Sequence, residues 1–88
     1  MVDYIGMNPD EVEDLAKDLE LRAGDLETLL STLTSKLSTT TWVGTDRNRF
    51  EEAWQGTISL NLTNAANQLR EAGGAARSDA SAQRLTSS

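Results

Sequence analysis

The chain contains no cysteine and no histidine. That removes disulfides, thiolate chemistry, Cys/His metal sites and the side chain that most often serves as a general base near neutral pH. Carboxylates remain, but Glu51 and Glu52 are neighbours, and neighbours on a helix point about 100° apart, badly placed to flank one substrate atom. No catalytic, cofactor-binding or metal-ligating residue is assigned, and a non-enzymatic role is expected. Bases are also scarce, with 8 Lys and Arg against 14 Asp and Glu and a net charge of −6. Residues 1–45 carry the whole imbalance, with nine acids and three bases, whereas 46–88 hold five of each. Such a surface repels phosphate backbones and anionic lipid, so neither nucleic acid nor stable membrane insertion is expected. No apolar run approaches the roughly 20 residues of a membrane span. The opening Met-Val-Asp-Tyr-Ile-Gly lacks the basic region of a general secretory signal peptide.

Aromatics make up 5% of the chain and hydrophobics 38%. A single domain of 88 residues buries only about 60 to 65% of the surface its unfolded chain exposes. With no covalent or metal cross-link to help, self-association is the expected further source of stability.

What is present is helical patterning. Asn8 is a good N-cap, Pro9 suits the first helical position, and Asp10 and Glu11 sit near the positive end of the helix dipole. Met7 and Val12 occupy the two positions of a hydrophobic staple. Val12, Leu19, Leu26 and Leu33 then recur every seven residues, with Leu15, Ala16, Ala23, Leu29, Leu30 and Leu37 beside them, while Leu21 points away. This predicts a first helix over about 9–38, roughly 45 Å long. Glu13, Asp14, Asp18, Glu20, Asp25 and Glu27 form an acidic face, read as solvated, with Glu13–Lys17 and Asp18–Arg22 at intrahelical pairing distance.

Ser38-Thr39-Thr40-Thr41 lacks a strong helix former, so the chain is expected to bend over 39–45. Trp42-Val43-Gly44 supplies a bulky anchor beside a residue able to take positive φ. Thr45 or Asp46 is placed to cap a second helix over about 46–72, whose apolar positions include Phe50, Ala53, Trp54, Ile58, Leu60, Leu62, Ala65, Ala66 and Leu69. Leu60 and Leu62 diverge too far to face one neighbour. Gly73-Gly74 is expected to interrupt the helix, leaving 73–88 frayed or mobile.

The fold expected for 1–88 is therefore all-α: one helix-turn-helix domain with its bend at Trp42 and Gly44. One hairpin cannot close its own core, so two are expected to pair as a four-helix bundle. The interface assigned is Val12, Leu15, Leu19, Leu26, Leu29, Leu33, Ile58, Leu62 and Leu69, and Phe50 and Trp54, four apart on one helical face, are read as core positions of the same bundle. Arg22, Lys36, Asn61 and Gln68 fall at or near this seam, either snorkelling to its rim or setting a partner's register.

Trp42, Gly44, Phe50 and Trp54, centred between heptad-patterned helices, resemble the WXG100 family of small helical hairpins, the early-secretory-antigenic-target-like substrates of type VII secretion. The resemblance covers roughly residues 8–72. It implies synthesis in a bacterial cytoplasm and export as a folded dimer by a machine driven by a membrane ATPase, with this chain as substrate or escort. It also implies a composite export signal, in which the bend acts with a Tyr followed four positions later by Asp or Glu. Here the only tyrosine is Tyr4, followed at that distance by Asn8. A heterodimer whose partner carries the tyrosine signal is thus preferred to a homodimer. The alternative is an intracellular structural or adaptor module that dimerises in the same way without export.

Overall fold

Asn8 begins the first helix as its sequence predicts. Its side-chain oxygen accepts hydrogen bonds from the backbone N–H groups of Asp10 and Glu11, at 3.0 and 3.4 Å. Pro9 follows at the first helical position, where its missing N–H costs nothing. The structure, a computed structural model, describes residues 6–87. Tyr4 lies outside them. Helix α1 spans Pro9–Thr39. The hydroxyls at its end turn back onto its carbonyls, Ser38 and Thr39 donating to Ser35 and Thr40 to Lys36 at 2.6 Å, and the helix stops where Thr40 takes an extended backbone conformation.

The second arm has three consecutive segments: α2 (Thr45–Ala53), a π-helical turn (Trp54–Ile58) and α3 (Ser59–Ser87). Gly44, rather than Thr45 or Asp46, is the N-cap, and its carbonyl accepts from Asn48 N–H at 3.2 Å. The two arms lie antiparallel in a rod of 67 × 17 × 15 Å. The described residues form an all-helical hairpin.

Gly73-Gly74 does not interrupt the second arm. Helix α3 continues through both glycines to Ser87. The reason is the neighbouring arm, because a Cβ on Gly73 would lie 3.1 Å from the Ala16 carbonyl oxygen and 3.1 Å from Glu20 Cγ. Gly73 is thus a point of close approach, and packing there outweighs its poor helix propensity, worth about 1 kcal/mol. Seven-residue steps from this contact place Ala66 opposite Ala23 and Ala80 opposite Pro9. Ala16, Ala23, Ala66 and Ala80 are all fully buried. The seam between the arms is therefore made of small residues, and Trp54 is the only large side chain among the buried hydrophobics of the described residues.

At 100° per residue, the larger groups fall on opposite sides of this seam. Val12, Leu15, Leu19, Leu26, Leu29 and Leu33 of α1 lie on one side, beside Leu62 and Leu69 of α3. Glu13, Glu20 and Glu27 lie on the other, beside Arg70, Arg77 and Arg84. One broad side of the hairpin is apolar, and the opposite side is charged. Leu62 is half-buried whereas Leu60 is 55% exposed, so these two leucines do face different ways.

Candidate functional site

The bend is the most irregular part of the hairpin and gathers nearly all of its aromatic surface. Gly44 has φ 121° and ψ −176°, a conformation essentially reserved for glycine. Val43 is 91% exposed, so the reversal turns its middle residue to solvent. Trp42 packs on Phe50 with ring centroids 5.4 Å apart, and Phe50 stacks on Trp54 at 6.4 Å. Both distances suit favourable aromatic pairing. Trp54 is the buried anchor of this group, whereas Trp42 remains 38% exposed. With Leu33, Leu37 and Thr40, the three rings line a cavity of 260 Å³ on the apolar side of the hairpin.

Two polar contacts hold the bend together. Trp54 Nε1 donates to Thr34 Oγ1 at 2.9 Å, joining the arms. Arg47 donates from one terminal nitrogen to the Leu37 carbonyl at 3.3 Å and pairs with Glu51 at 3.2 Å. It thereby adds a second hydrogen bond to a carbonyl that already accepts from the Thr40 N–H, and it places a cation at the negative end of the helix dipole. Thr34 and Arg47 were not identifiable from sequence, since each matters only through the other arm.

The residues assigned to a dimer interface lie along the apolar side without a covering element. Leu15, Leu29, Leu33 and Ile58 are exposed, and Val12, Leu19, Leu26, Leu62 and Leu69 are half-buried. Arg22 runs along α1, paired with Asp18 at 3.2 Å and Asp25 at 2.9 Å. Lys36, Asn61 and Gln68 are exposed.

The acidic face is only partly a solvated surface. Glu13 turns to Arg84 of the other arm at 2.7 Å rather than serving Lys17. Glu20 pairs with Arg77 at 2.6 Å, and Glu27 accepts two hydrogen bonds from Arg70 at 2.6 and 2.7 Å. Arg84 also reaches Asp10 at 2.8 Å. Each partner steps by seven residues, upward on one arm and downward on the other, so the ladder follows the antiparallel register of the seam. Its sequence signal was the matching seven-residue spacing of Glu13, Glu20 and Glu27 with Arg70, Arg77 and Arg84.

The Arg70 hydrogen bond lowers the Glu27 pKa, although partial desolvation opposes it. Because the folded value lies below the unfolded one, this contribution is complete above about pH 4.3 and is lost as pH falls through the depressed value. An Arg70→Gln variant is therefore expected to melt below the parent at pH 7, with the two midpoints converging as the pH falls through the depressed Glu27 value. A gap that stayed constant with pH would show that Glu27 ionisation is not coupled to folding.

Among the described residues there is no cluster of acidic side chains that could hold a metal ion. No described helix is long and apolar enough to cross a membrane. No family model, curated protein or solved structure matches this chain.

Proposed function

We propose that this chain is a non-enzymatic WXG100-type hairpin, exported through a type VII secretion system as a folded dimer in which it is substrate or escort. The observation that carries this reading is the bend, where Gly44 in a glycine-only conformation reverses the chain beside the Trp42, Phe50 and Trp54 rings. The uncovered apolar side supports pairing with a second hairpin, because a seam of alanines and glycine buries little apolar area for one chain. Pairing along that side gives the four-helix bundle. The preferred partner is a different hairpin that supplies the tyrosine signal, because Tyr4 is the only tyrosine here.

The test is export from cells with an active or an inactivated secretion ATPase. The chain is expected in the medium only when the ATPase is active, and Trp42→Ala is expected to reduce export while helicity and dimer mass persist. Retention by cells with a working system would overturn the proposal in favour of an intracellular dimerisation module. Mass measurement on the purified chain separates a homodimer from a chain that requires a different partner.

A further inference from the structure

The two arms do not count residues equally. Along α1, Ala16 and Thr34 are eighteen residues apart, which at 3.6 residues per turn is five whole turns, so both lie on the same line of the helix. Their partners on the second arm are Gly73, packed on Ala16, and Trp54, bonded to Thr34. Those two are nineteen residues apart. In an uninterrupted α-helix the additional residue would turn Trp54 about 100° out of the seam, toward the apolar side and away from Thr34.

The π turn accommodates that residue. Ser59 N–H bonds to the Trp54 carbonyl, five residues back instead of four, so one residue is absorbed without changing the phase of the helix on either side. Glutamine, glycine, threonine and isoleucine at 55–58 are all exposed. The conformation of the turn is therefore imposed by what lies beyond it: the Trp54–Thr34 bond on one side, and the Gly73–Ala16 contact with the Arg–Glu ladder on the other.

We infer that the Trp54–Ile58 π turn is a one-residue register adapter, which lets the aromatic bend and the small-residue seam be satisfied by the same pair of helices. This makes an unusual demand on a mid-helix deletion. Removing Gly56 brings Trp54 and Gly73 to eighteen residues apart, matching Ala16 and Thr34, so the arm becomes continuous α-helix with every inter-arm contact retained. A deletion at Thr28, an exposed residue between Ala16 and Thr34 on α1, shortens the arm that has no residue to spare.

Both deletions are tested in the full chain carrying Trp42→Phe, so that Trp54 is the sole indole. ΔGly56 is expected to keep full helicity, the blue-shifted emission of a buried Trp54, the response of that emission to Thr34→Val, and a melting midpoint at or above the parent's. ΔThr28 is expected to red-shift the emission, abolish the Thr34→Val response and lower the midpoint. Loss of helicity in ΔGly56, or a red shift matching that of ΔThr28, would overturn the inference. So would a ΔThr28 variant indistinguishable from the parent.

Discussion

Gly73→Leu is expected to destabilise the hairpin by about 3 kcal/mol, the upper part of the range for overpacking a tight contact. Its Cβ alone would stand 3.1 Å from the Ala16 carbonyl oxygen, and backbone cannot swing aside as a flexible side chain does. Separating the arms there strains the neighbouring Glu20–Arg77 pair and the buried alanines one heptad away. The adjacent residue provides the contrast. A Cβ on Gly74 meets nothing within 4 Å, so Gly74→Ala is expected to stabilise by about 1 kcal/mol through helix propensity and a less flexible unfolded chain. Urea unfolding at one fixed chain concentration reads both, because association would otherwise change the midpoint. Equal and same-signed effects at 73 and 74 would refute a small-residue seam centred on Gly73.

Trp54→Ala is expected to cost a further large amount, about 3 kcal/mol, in line with truncation of buried indoles. The indole is 9% exposed, stacks on Phe50 and supplies the hydrogen bond to Thr34, so one substitution removes both the packing and the polar tie at the bend. Trp42→Ala should cost clearly less, since Trp42 is 38% exposed and contacts the cluster through Phe50. Urea unfolding of the two variants gives the order. If Trp42→Ala proved the more damaging, the bend would be anchored by the indole next to Gly44 and not by the one in the seam.

That order qualifies what the bend looks like in sequence. Trp42 and Gly44 mark the reversal because one is bulky and the other permissive, and both properties are local. Trp54 reads as an aromatic sharing a helical face with Phe50, but nothing local marks it as the residue that ties the two arms together. Its role depends on a π turn that no local pattern announces, since Gln55, Gly56, Thr57 and Ile58 fit an ordinary stretch of weak helix. Gly73 was legible only as a helix breaker, because its propensity is intrinsic whereas its contact with Ala16 belongs to the other arm. Similarly, Glu13 has Lys17 four residues away, and only the antiparallel register reveals that Arg84 takes it instead.

The pH dependence of the Glu27–Arg70 pair follows from the same register. It is a property of two helices, each with a residue at the required step of seven, and neither helix carries it alone.

Sequence by itself determined the start of α1 at Asn8, its end among Ser38, Thr39 and Thr40, the reversal at Gly44 and the heptad identity of the apolar residues. These rest on hydrogen bonds and dihedral preferences within a few residues of one another, so no distant partner is needed to establish them. Tertiary structure decided the continuity of α3 through Gly73-Gly74, the burial of Trp54, the π turn and the Arg–Glu ladder. Each of these depends on which residue of the other arm comes opposite. That choice is made when two helices pack along a seam of small side chains, where a shift of one residue moves every partner by about 100°.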